Sequence, residues 1–139
     1  MKEIIIHTDG ASRGNPGPSA IAYTIEGIDA ERRDHAEVIP ATTNNQAEYQ
    51  AVLAAIIAIT ELGPKDREIK FIGDSELVSK QLQGVYRVKD NNLRPHFLAI
   101  KQAVEDLSKL GNHVSFSSVP RAQNSRADRL ANIALDGQG

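Results

Sequence analysis

The sequence predicts an α/β fold in which one mixed β-sheet is covered by helices. Three observations point there. Apolar segments with the two-residue alternation of strands crowd the first 39 residues, helical and extended segments alternate from residue 44 onward, and glycine or proline punctuates most junctions.

Ile4, Ile5 and Ile6 form an apolar run that reads as a short buried strand. It leads through His7, Thr8 and Asp9 into a turn, with Gly10, Gly14, Pro16, Gly17 and Pro18 as breakers. Over residues 19–26, Ile21, Tyr23 and Ile25 alternate with smaller or polar residues, which predicts a second strand. Residues 36–39 suggest a third, joined through Gly27, Ile28 and Asp29, so the sheet starts antiparallel. Residues 44–62 take on helical periodicity, with Thr42 or Thr43 as the cap and Gly63-Pro64 as the stop. Nearly every face of that helix is apolar, which makes it central. Residues 68–73 then read as a strand, 75–82 as a short helix, 93–110 as a longer helix ending at Gly111, 114–119 as a fifth strand before Pro120, and 125–135 as a closing helix. The later strands need crossover connections and are expected to run parallel to the first. No repeat or low-complexity segment interrupts the chain, and the tail 136–139 is expected to fray.

At 139 residues the chain has room for a single domain spanning 1–139. Its 40% hydrophobic and 24% charged composition suits one packed core and excludes disorder. Without cysteine, any metal must be held by oxygen or imidazole. The longest apolar run, 51–59, is about half of the ~18 residues that a membrane span needs, and the start lacks a secretory pattern, so a cytoplasmic protein is expected. The formal charge of −2 is unevenly spread: residues 1–64 carry nine acidic and four basic side chains, whereas 65–100 carry seven basic and five acidic. That is no general footprint for nucleic acid, so a nucleic-acid partner would have to be met at a local site.

Four carboxylates stand out. Asp9 and Asp74 each follow an apolar strand at its carboxyl end and precede a small residue, and the carboxyl ends of sheet strands are where sites form. Each also suits a local role, Asp9 in a turn and Asp74 as a helix N-cap. Glu48 shares a helical stripe with Ala51, Val52, Ala55, Ile59 and Leu62, all expected to face the sheet, so its carboxylate needs a partner or must lean out along the first turn. Asp128 stands at the start of the last helix on an edge shared with Ala131 and Leu135. Four oxygen donors suit Mg²⁺ or Mn²⁺, and two such ions ~4 Å apart can activate a water and stabilise the departing oxygen of a phosphodiester.

With these residues the chain resembles the type 1 ribonucleases H, over nearly its whole length. The likeness rests on Thr8-Asp9-Gly10 through Gly14-Asn15-Pro16-Gly17-Pro18, on Thr42-Thr43-Asn44-Asn45-Gln46-Ala47-Glu48, on Asp74-Ser75, and on Val119-Pro120-Arg121 leading to Asn124-Ser125-Arg126-Ala127-Asp128. The resemblance implies a ribonuclease H-like five-stranded mixed sheet whose second strand runs antiparallel. It also implies a metal-dependent endoribonuclease that hydrolyses the RNA strand of RNA–DNA hybrids and leaves 5′-phosphate and 3′-hydroxyl ends. Asp9, Glu48, Asp74 and Asp128 look like the catalytic metal ligands, with two ions per site once substrate is bound, Asp9 bridging both and Asp128 on the side of the attacking water. The Gly10 backbone, Asn15, Asn44 and Asn45 look like the contacts to minor-groove hydroxyls and the sugar-phosphate backbones, and Thr43 like a DNA-phosphate contact; Ser75 and Arg121 complete the expected substrate set.

Two departures stand out. The loop 119–127 has no histidine where many relatives carry one and offers Arg121, Asn124 and Arg126 instead, while His7, His35, His96 and His113 lie elsewhere and are assigned no role. There is also no tryptophan, and the segment 84–95 is short where larger relatives insert a basic protrusion; Lys80, Tyr86, Arg87 and Lys89 remain as candidate DNA-strand contacts. A monomer without a small-molecule cofactor is expected. Three other functions compete: a hybrid-binding module without hydrolysis, a nuclease that also cleaves double-stranded RNA, and a nucleotide phosphate loop of the actin and sugar-kinase kind, for which 139 residues cannot supply the second lobe.

Overall fold

The structure is a computed structural model, and it describes residues 2–137. Strands β1 (Lys2–Ser12), β2 (Gly17–Glu26) and β3 (Arg33–Thr42) come first, then helix α1 (Asn44–Leu62), β4 (Arg67–Gly73), α2 (Glu76–Leu82), α3 (Arg94–Lys109) and β5 (His113–Ser118). A 3₁₀ turn (Arg121–Asn124) then leads into α4 (Ser125–Asp136). The sheet order is β3-β2-β1-β4-β5. β2 is antiparallel to both its neighbours, whereas β4 is parallel to β1 and β5 parallel to β4. The five-stranded mixed sheet is therefore the one the sequence predicts.

Helix α1 crosses β1 and β2 on one face of the sheet and packs against α3. Ile4, Ile6, Ile25, Ile56, Ile59 and Ile69 meet there, none more than 1% exposed, and each buried side chain of this size contributes about 1.5–3 kcal/mol. Helix α4 packs across β2, β1 and β3. It buries Ala127, Ala131 and Leu135, while Ala20, Ala22 and Thr24 of β2, which alternate with Ile21, Tyr23 and Ile25, are buried as well. The small residues of β2 thus belong to a second buried face. No helix among the described residues is long and apolar enough to cross a membrane.

Three boundaries differ from the sequence reading. β1 does not turn at Gly10: it runs to Ser12, because β2 pairs with it residue for residue as far as Ser12 and Ser19. β3 is longer than 36–39, because the charged side chains of an edge strand hide its alternation, and Pro40 is tolerated where an N–H has no ladder to join. At the tail, α4 takes in Asp136, which bonds Arg13, with Gly137 closing the helix; Gln138 and Gly139 lie outside the described residues.

Candidate active site

The parallel ladder between β1 and β4 ends at His7 and Ile72, and β4 itself stops at Gly73. Asp9 therefore stands inside β1, paired with Ala22 of β2, but just past the point where β1 loses its β4 neighbour. Asp74 follows the last residue of β4 on the same side. It does not cap α2, since Ser75 does so, accepting from the Val78 amide at 3.2 Å.

Glu48 reaches the same place because α1 passes unusually close to β1. A Cβ on Gly10 would lie 2.1 Å from the carbonyl carbon of Ala47, so only glycine lets the two backbones meet. Helix α1 is capped at its start by Thr43, whose hydroxyl accepts from the Gln46 amide at 3.3 Å, and at its end by Gly63 in the left-handed conformation, φ 64°. Ala51, Val52, Ala55 and Ile59 lie buried on the Glu48 stripe as expected, whereas Leu62, in the last turn, is 38% exposed.

The outcome is a cluster in which oxygens of Asp9, Glu48 and Asp74 all lie within 4.8 Å of one another. Asp9 and Glu48 are buried and Asp74 is half-buried. Burial, followed by the negative charges of Asp74 and Asp128, pushes Asp9 up to about 7. Burial, then Asp9 and Asp74, raises Glu48 well above the carboxylate range, against the opposing Gly10 amide that bonds it. A hydrogen bond links the two carboxyls, lowering the proton affinity of Asp9 and raising that of Glu48.

Asp128 lies outside that mutual set, although it lines the same cleft of about 460 Å³ and interacts with Asp9. Its Oδ1 accepts from Arg121 Nη2 at 2.9 Å and Asn132 Nδ2 at 3.3 Å. Gly10, Asn44 and Arg121 line the cleft too, and the Asn44 amide donates to Asn15 Oδ1 at 3.1 Å, tying the β1–β2 turn to the start of α1. Asn45 is exposed beside Asn44 in the first turn of α1. Tyr86 and Arg87 line a separate groove with Arg94, Phe97 and Leu98; Lys80 lies in the last turn of α2, and Lys89 is exposed in the loop before α3. Sequence reasoning passed over Asn132, although its i+4 spacing from Asp128 was a usable signal, and Ser12 and Arg13, which share the cleft because β1 continues past Gly10.

Three crowded carboxylates, two of them raised by burial and by their charged neighbours, with a fourth at the rim and no softer donor, fit a hard divalent cation, whose charge offsets what raises Asp9 and Glu48.

The fold and site define a class: α/β proteins that gather carboxylates where the central strands of a mixed sheet end. The RNase H family model matches residues 1–136, and the chain belongs to that family. Ribonuclease HI of Halobacterium salinarum is 44% identical over 132 residues, covering 92% of this chain and 62% of its own length. A bifunctional protein of Mycobacterium tuberculosis is 33% identical over 136 residues, covering 96% of this chain and 36% of its own length. The chain thus spans less than two thirds of these relatives. The crystal structure of LC11-RNase H1 in complex with an RNA/DNA hybrid matches with a TM-score of 0.89 at 37% identity, covering 97% of this chain and 98% of that one.

Proposed function

We propose that the protein is a metal-dependent endoribonuclease that hydrolyses the RNA strand of RNA–DNA hybrids and leaves 5′-phosphate and 3′-hydroxyl ends. The observation that carries this reading is the approach of Asp9, Glu48 and Asp74 within 4.8 Å of one another, in a chain of the RNase H family. The hybrid as substrate is supported by the structural neighbour that binds one.

Asp9, Glu48 and Asp74 would hold one Mg²⁺ or Mn²⁺, and Asp9 with Asp128 a second. When bound, two such ions activate a water for in-line attack and stabilise the departing oxygen. The chain prepares the site by main-chain geometry: the Gly10 amide bonds Glu48, and a cation bound there would displace protons that burial and crowding favour at Asp9 and Glu48. Gly10 and Asn44 line the cleft, and Asn15, which accepts from the Asn44 amide, and Asn45, the next residue of α1, would join them in reading the 2′-hydroxyls that mark RNA. Thr43 and Ser75 add hydroxyls at the starts of α1 and α2, next to helix amides suited to phosphate. Arg121 meets the scissile strand, and Lys80, Tyr86, Arg87 and Lys89 contact the DNA strand. Residues 1–139 are read as one ribonuclease H domain, working as a monomer in the cytoplasm without a small-molecule cofactor.

Cleavage of an end-labelled RNA–DNA hybrid in Mg²⁺ or Mn²⁺, run beside duplex DNA, single-stranded RNA and double-stranded RNA, tests this reading. The hybrid is cut, and Asp9→Asn abolishes cutting. Hybrid binding without cleavage under either metal would replace the enzyme with a binding module, and cleavage of the double-stranded RNA would widen its substrate range.

A further inference from the structure

Among the described residues, Asp128 is the one carboxylate of the cleft that holds a cation of the protein's own. Arg121 donates to its Oδ1 at 2.9 Å, and Asn132 takes a second position on the same oxygen at 3.3 Å. The pair is asymmetric: the Asp128 side chain is 25% exposed and fixed to a helix, whereas that of Arg121 is 73% exposed on a short 3₁₀ turn. Arg121 also lines the cleft that contains the three clustered carboxylates. A guanidinium forks onto phosphate as well as onto carboxylate, so it can leave one for the other without losing a charged partner.

We propose that Arg121 is a resident counter-cation that masks Asp128 until a phosphodiester in the cleft draws it away, so that substrate arrival frees Asp128 to complete the second cation site. The inference rests on the reading of the cleft as a metal site. It makes Arg121 a positioning residue for Asp128 and orders the events, with hybrid bound before the second site is complete. It also accounts for the absence of Asp128 from the mutually close set that Asp9, Glu48 and Asp74 form.

The test measures Mn²⁺ binding calorimetrically on the whole chain, for wild type, Arg121→Gln, Arg121→Lys and Asp9→Asn, with and without a short hybrid whose RNA strand is 2′-O-methylated at alternate nucleotides, which resists cutting while leaving 2′-hydroxyls to be read, its binding to each protein checked by fluorescence anisotropy. Without hybrid, Arg121→Gln binds Mn²⁺ at the weaker site about three- to tenfold more tightly than wild type, the scale set by removing a partly exposed ion pair and its positive charge. Arg121→Lys, which keeps the charge but not the fork, falls between. Hybrid tightens Mn²⁺ binding in wild type and does so less in Arg121→Gln. Unchanged Mn²⁺ affinity in Arg121→Gln, or a hybrid effect of wild-type size, overturns the masking role. Mn²⁺ binding that survives Asp9→Asn intact overturns the metal-site reading instead. Arg121 is exposed, so its replacement leaves the fold in place.

Discussion

Replacing Asp9 by asparagine makes the metal-free protein more stable at neutral and alkaline pH. Asp9 is 4% exposed, and its proton affinity is raised from 3.8 to about 7, by burial first and then by Asp74 and Asp128. Between those two values the folded chain binds more protons than the unfolded one, so stability falls as pH rises through the window and the loss is complete above about 7. Three units correspond to about 4 kcal/mol at pH 8. Burying the asparagine amide takes back about 1 kcal/mol, leaving about 3 kcal/mol in favour of the variant. For a chain of this length that is roughly 10 °C in melting temperature. Thermal denaturation in EDTA from pH 4.5 to 8.5 reads it: the two proteins converge at the acid end, wild type declines towards pH 8, and the variant stays flatter. Parallel curves, or a variant that melts below wild type at pH 8, would refute the claim that crowding at Asp9 opposes folding.

The other predictions are narrower. Mg²⁺ at about 100 times its dissociation constant stabilises wild type by about 3 kcal/mol, and the Mg²⁺-dependent shift in melting temperature is lost in Asp9→Asn. Gly10→Ala drives a methyl group into the Ala47 backbone and costs about 3 kcal/mol or more, seen as a lower urea midpoint. Tyr49→Phe removes the buried 2.6 Å donor of Gln81 Oε1 and costs about 1–3 kcal/mol; Gln81→Leu in the same chain recovers part of it in a double-mutant cycle.

The fold was legible where burial is one-sided or complete. The isoleucines of β1 and the alternation of Ile21, Tyr23 and Ile25 are visible as strands, and α1 is visible because Gly63-Pro64 ends it. Charged side chains on β3 and the glycine within β1 concealed the true ends of those strands, because edge exposure and a close helix crossing leave no periodic signal. At the site, the grouping of Asp9, Glu48 and Asp74 could be anticipated from strand ends and the core-facing stripe of α1. The attachment of Asp128 to Arg121 could not be, since an ion pair seven residues apart across a 3₁₀ turn has no spacing rule behind it. Thr43 caps α1, one of the two threonines the sequence offered for that place, whereas α2 is capped by Ser75 and not by Asp74, because the helix begins one residue later than its sequence suggests.

The contact of Gly10 with the Ala47 main chain sets how the site responds to change elsewhere. The gauge between Asp9 and Glu48 is held by one backbone resting on another, with no side chain as spacer. Exchanges among the isoleucines behind it, Ile56 for valine or Ile69 for leucine, alter stability without moving that gauge. Resilience to heat and the chemistry at the cleft are therefore separately adjustable in this chain, as long as position 10 keeps no side chain.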